Sequence, residues 1–141
     1  MRLALDILDA ETAAQRRTQR RGTTVLVAAS AACRAWVRRA LEPLELDGLL
    51  EADDGLDAFS LALAEPIDLV LAEADLDRLD GVTLCQVLRA EPSLRVLPLV
   101  LLDRVEGQPA ALAQADAVLE AGCSSEALVA CVTALLPPRA R

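Results

Sequence analysis

Two carboxylates close two of the most apolar runs in the chain: Glu73 follows Asp68-Leu69-Val70-Leu71-Ala72, and Asp103 follows Val96–Leu102. Acids brought together at the ends of neighbouring elements can hold a hard cation, which takes several oxygens, and Asp75 could add another. Without a cation such acids raise one another's pKa, and a spaced pair can divide general acid and base work, as in glycoside hydrolysis. Sugar chemistry wants aromatic platforms, yet Trp36 and Phe59 are the only aromatic residues. The plainer expectation is that the two acids diverge into solvent. Cys33, Cys85, Cys123 and Cys131 show no C-x-x-C spacing and sit in or beside apolar stretches, where a free thiol acts as a small hydrophobe. The chain has no Lys, His, Tyr or Asn. Ser-His-Asp and Cys-His catalysis, His-ligated zinc, Lys Schiff bases and a Walker-type phosphate loop are therefore excluded. No enzymatic activity, metal or cofactor is expected.

The residue pattern predicts short elements in alternation. Val25-Leu26-Val27 reads as a buried strand, and Ser30 as the N-cap of a helix reaching Leu44, with Trp36, Val37, Ala40, Leu41 and Leu44 on its apolar face. Leu49–Ala52 is a second strand, Asp53-Asp54-Gly55 a turn and helix cap, and Leu56–Ala64 a helix stopped before Pro66. Asp68–Ala72 is a third strand. An acidic loop from Glu73 to Asp80 follows, solvated at Asp75 and Asp77, with Asp80 capping the helix that Gly81 begins. Val96–Leu102 is the fourth strand, Ala110–Gln114 a brief helical candidate, and Asp116–Leu119 the fifth strand. A last helix starts at Ser124-Ser125-Glu126 and runs to Leu136 before Pro137-Pro138. Strands buried on both faces and each followed by a helix mean a parallel sheet covered on both sides. Right-handed crossovers give a doubly wound (βα)5, flavodoxin-like α/β sandwich in the order 2-1-3-4-5, with any site at the carboxyl ends of the strands.

At 141 residues the chain has the length of one domain and can bury a core without disulfides. Residues 1–22 read as an N-terminal helical extension, residues 23–136 as the domain, and residues 137–141 as a tail with no effector domain. Five Arg against three acids give residues 1–22 a charge of +2, and nine Arg against nineteen acids give the remainder −10, which together make the net −8. An acidic body repels phosphate backbones, so nucleic acid is not an expected partner. Arg16, Arg17, Arg20 and Arg21 form the basic cluster, with Leu3, Leu5, Ile7 and Leu8 as the apolar end of the same segment. That end is expected to pack on the body or to pair with a second copy, with a disordered leader as the alternative. Asp6 and Asp9 make it a poor signal peptide, and no uncharged run approaches the ~20 residues of a membrane span. A cytoplasmic protein without membrane contact is expected.

Five segments resemble, in order, the receiver domain of two-component response regulators. Val25-Leu26-Val27-Ala28-Ala29-Ser30 is similar to its opening strand, and Glu51-Ala52-Asp53-Asp54-Gly55-Leu56-Asp57-Ala58 to its second strand and turn. Asp68-Leu69-Val70-Leu71-Ala72 with Asp80-Gly81 resembles the frame of the phosphorylated Asp. Leu97–Leu102 and Ala115–Leu119 look like the fourth and fifth strands. The resemblance covers Thr23 to Leu136. It implies phosphotransfer in which two acids hold Mg²⁺, an Asp accepts the phosphoryl group, a hydroxyl binds it and a Lys pairs with it, because the arriving charge must be neutralised. The matching positions here are Ala28 and Ala29 for the metal acids, Glu73 for the acceptor, Asp103 for the hydroxyl and Ala121 for the Lys, with Gly122 where the family has Pro. Val118 stands at the aromatic switch position. The stretch from Asp103 to Ala121 is about one turn, roughly 3.6 residues, shorter than the family's.

What this implies is a degenerate pseudo-receiver: a phosphorylation-independent interaction module in two-component-type, bacterial signal transduction. Its partner would be a kinase, another regulator or itself, with a homodimer as one form. One alternative is a switchable receiver that is phosphorylated on Glu73 or binds a ligand. Glu73 could act as a fixed phosphomimic, but a mimic works through the hydroxyl and aromatic switch, which are Asp103 and Val118 here. A second alternative is a small cofactor binder, for example of flavin, on the same fold.

Overall fold

The computed structural model describes residues 23–103 and 114–137. The expected extension over residues 1–22, most of the tail and all of the helical candidate Ala110–Gln114 except Gln114 lie outside the described residues.

Five strands, β1 (Thr24–Ala28), β2 (Gly48–Ala52), β3 (Leu69–Glu73), β4 (Leu99–Asp103) and β5 (Ala117–Glu120), form one parallel sheet in the order β2-β1-β3-β4-β5. This is the doubly wound order expected from the alternation of apolar runs and helix-period segments. Four described helices cover the sheet: α1 (Ala31–Ala40), α2 (Gly55–Ala64), α3 (Gly81–Ala90) and α4 (Ser125–Leu135).

Side chains alternate across each strand, so the sheet feeds two cores. Leu26, Ala28, Val70, Ala72, Leu99 and Leu101 face α2 and α3, where Ala58, Ala62, Leu84, Cys85 and Leu88 meet them. Val25, Val27, Leu69, Leu71, Val100 and Leu102 face α1 and α4, against Val37, Ala40, Leu41, Leu128 and Val132. Strands β1, β3 and β4 are buried on both faces except at the half-buried ends Glu73 and Asp103, whereas β2 and β5, at the two edges, are mostly half-buried. An edge strand has a neighbour on one side only, so the expectation of full burial fails there.

The helix starts follow the sequence. Ser30, Asp54, Asp80 and Ser124 each accept a hydrogen bond from a backbone N–H three residues on, at Cys33, Asp57, Thr83 and Ala127. Two boundaries differ from expectation by more than one residue. The first helix ends at Ala40 rather than Leu44, because Pro43 cannot donate to the helical ladder; Glu42–Leu44 tightens into a 3-10 turn that Glu45 closes at φ 51°. The fourth strand begins at Leu99 rather than Val96. Leu97 N–H donates back to Leu94 O in a turn, Pro98 O accepts from Val70, and Val96 points outward at 83% exposure. Apolar character there reflected the turn's packing at Leu94 and Leu97 as well as the strand.

Candidate functional site

In a parallel sheet every strand-to-helix loop lies on one edge, and that edge gathers the chemistry-bearing positions. Ala28 ends β1 and Ala29 follows it, both buried; their methyl groups offer no ligand atoms. Glu73 ends β3 and Asp103 ends β4, each half-buried, with Glu73 opposite Leu102. Ala121 follows β5, exposed, and its N–H donates to Asp103 O at 2.7 Å. Val118 is half-buried within β5 and packs against the α2–α3 core. All of the singled-out positions therefore reach one edge of the sheet except Val118, which lies inside β5.

Glu73 does not simply extend into water. Ser30 N–H donates to its Oε1 at 2.6 Å, across from β3 to the start of α1. The longer side chain spans ground that Ala28 and Ala29 leave open, and its charge meets the positive end of the helix. Ser30 N–H is an early donor with no partner inside the helix, so Glu73 supplies what the helix itself cannot.

At the ends of β1 and β2 stands a cation that sequence reasoning missed. Arg34 has a side chain only 18% exposed; its Nη1 donates to Ala29 O at 3.0 Å and to Ala52 O at 3.3 Å, and its Nε meets Glu51 Oε1 at 3.1 Å. It also pairs with Asp53, and Arg38 pairs with Glu51. Arg34 thus ties the carboxyl ends of β1 and β2 together. The available signal was its place four residues after the Ser30 cap, one turn into a helix whose outer face carries three arginines. The hydrogen bond from Arg38, ahead of the charges of both arginines, holds the Glu51 carboxyl below the usual carboxylate range.

The loop after β3 is less solvated than its acids suggest. Asp75 and Asp77 are exposed and Asp80 caps α3, as expected. Leu76 and Leu79, however, pack on the core, and Arg78, at φ 64°, pairs with Asp54 at 3.1 Å. Leu79 O comes so near that a Cβ on Gly55 would sit 1.9 Å from it, and a Cβ on Gly81 would sit 2.2 Å from Glu73 O. Two glycines therefore let this loop close down on the start of α2 and on the end of β3.

Cys85 is buried, while Cys33, Cys123 and Cys131 are half-buried, and all four are free thiols. Burial pushes the Cys33 thiol up to about 11, helped by the charges of Glu73 and Cys123. Burial also raises the other three. Among the described residues no three His, Cys, Asp or Glu side chains group so as to hold a metal ion.

No protein-family model matches the chain. Solved structures do. A receiver domain of a signal transduction histidine kinase from Syntrophus aciditrophicus is 23% identical, with a TM-score of 0.71 over 82% of this chain and 89% of that one. This chain has the receiver-domain fold. The receiver domain of a sensor histidine kinase from Pseudomonas aeruginosa, with a magnesium ion coordinated in its active-site cleft, is 19% identical at a TM-score of 0.72, over 81% and 97% of the two chains. A Vibrio cholerae chemotaxis protein is 18% identical at 0.71, over 82% and 98%.

The receiver fold raises the question of whether magnesium fits here. The residues present do not suit it: Ala28 and Ala29 carry no side-chain oxygen, the Ala29 carbonyl is taken by Arg34, and Glu73 directs one carboxylate oxygen to Ser30 N–H. A hard cation wants six or so oxygens.

Proposed function

We propose that this receiver-fold domain works in two-component-type signalling as a protein-binding module that neither accepts a phosphoryl group nor catalyses a reaction. The observation that carries this reading is the Glu73–Ser30 hydrogen bond. The acceptor-position carboxylate is engaged at the start of α1, beside two alanines that cannot hold a cation and without any Lys in the chain to offset a phosphoryl charge. Phosphoryl transfer depends almost wholly on such preplaced positive charge. Its removal leaves the fold able to present a surface and unable to toggle it by phosphate. The partner class the fold suggests is a signalling protein, a kinase or another regulator, and the acidic body disfavours nucleic acid. Among the described residues no helix is long and apolar enough to cross a membrane.

Intact-mass measurement after incubation with acetyl phosphate and Mg²⁺ tests the proposal. The expected result is an unchanged mass. A stable gain of one phosphoryl group, lost in Glu73→Gln, would overturn it and restore the switchable reading.

A further inference from the structure

An amphipathic surface helix carries its charges outward, and α2 does not. Its inner face, Gly55, Ala58 and Ala62, is buried on the sheet. Its outer side presents Leu56 at 45% exposure and Leu63 at 51%, one ridge with half-buried Phe59 between them and Ser60 alongside. Asp57 is the one charged side chain of the helix, and it stands 3.9 Å from Arg78. A helix that is apolar nearly all round is normally covered.

The chain itself holds a segment that could serve as the cover. All helix-to-strand connections lie on the amino-terminal rim of the parallel sheet, where Thr23 also lies. Thr23 N–H donates to Asp47 Oδ2 at 2.6 Å, and Asp68 N–H donates to Thr24 O at 2.8 Å. Asp68 is five residues beyond Leu63, so Thr23, to which residues 1–22 are joined, shares this rim with the Leu63 end of the ridge. The rim is acidic: Glu42, Glu45, Asp47 and Glu65 are exposed there, with Arg95 the one basic side chain in the described parts of these connections. Arg16, Arg17, Arg20 and Arg21 lie within seven residues of Thr23. Leu3, Leu5, Ile7 and Leu8 follow further out. The fourteen residues between Leu8 and Thr23 reach about 45 Å extended or about 21 Å as a helix, and the ridge from Leu56 to Leu63 spans about 10 Å.

We infer that residues 1–22 dock in cis, with the arginines held by the acidic rim and Leu3, Leu5, Ile7 and Leu8 laid over the Leu56–Phe59–Leu63 ridge of α2. Charge complementarity and reach favour this occupant over a second copy, which would have to bring two acidic bodies together.

The test places the photoreactive residue benzoylphenylalanine at position 5 of the full chain and maps crosslinks by peptide mass. The expected result is a crosslink within one chain to residues 55–64, in a yield that does not change with protein concentration. Leu63→Glu, or Ser60→Arg as a second variant on the same exposed face, should lower that yield at least about fivefold while the thermal melt stays in place. Replacing the four arginines by Glu should lower it as well. Crosslinks between two chains that grow with concentration would assign the ridge to a second copy, and crosslinks mapping elsewhere, or none within the chain, would equally overturn the inference.

Discussion

Glu73 is a carboxylate that serves as a helix cap from another strand. Its contact with Ser30 N–H is charge-assisted and lies at a helix N-terminus, two effects that each strengthen the contact. Glu73→Ala should therefore cost about 1–2 kcal/mol in urea unfolding. Glu73→Gln keeps an acceptor oxygen and should cost less than half of that. Equal losses in the two variants would assign the whole effect to the charge, because Gln keeps the acceptor oxygen and gives up only the charge. The position of Glu73 at a strand end was legible, because an apolar run ending in an acid marks the carboxyl edge of a buried strand. Its partner was not, since Ser30 is forty-three residues away and only the parallel pairing of β1 with β3 brings them together. The same holds for Arg34, whose acceptors Ala29 O and Ala52 O are backbone atoms that no side-chain pattern announces.

At the scale of elements, caps and breakers decided the boundaries. Ser30, Asp54, Asp80 and Ser124 cap as their types suggest, and Pro43 and Pro98 shorten a helix and a strand that hydrophobicity alone would have carried through. The joints between elements depend on Arg34 and the two tight glycines. Arg34→Ala should cost about 1.5–3 kcal/mol, because it leaves carbonyls at two strand ends without their charged donor. Urea unfolding reads this directly, and Arg34→Lys should recover only part, since an ammonium cannot reproduce the planar fork. Gly55→Ala should cost toward the upper end of about 1–3 kcal/mol, as its Cβ would meet backbone rather than a side chain that could swing away. A thermal melt within error of the wild type would show that the loop after β3 can lift off α2 freely.

For the whole molecule, composition makes the alkaline limb unusually simple. Without Lys, Tyr or His, the four thiols are the only side chains that titrate between neutrality and the arginines. All four are raised by burial, Cys33 to about 11. A thiol whose folded value exceeds its unfolded one contributes stability that is complete below the unfolded value and is lost as pH rises through the folded one. Stability should therefore decline from about pH 9 to about pH 11, and Cys33→Ala should flatten that decline. Urea midpoints across this range, under reducing conditions, check both statements. On the acid side Glu51 works with the opposite sign: its lowered folded value supports stability above the ordinary carboxylate range, and that support goes as pH falls through the folded value.

What the amino-acid order determined by itself was the architecture and the list of positions at its functional edge. Short β-branched and leucine-rich runs separated by capped helical segments admit few arrangements, and right-handed crossovers select the doubly wound sheet. The missing Lys and the paired alanines are likewise plain in the sequence. Tertiary structure alone decided what the remaining charged groups do. Polar contacts such as Ser30 to Glu73, Arg34 to Ala52 and Arg78 to Asp54 join residues eighteen to forty-three positions apart, and their existence depends on strand pairing, loop closure and the space that two glycines leave. Local pattern reports which face a side chain takes; only the packed sheet sets which distant atom it meets there.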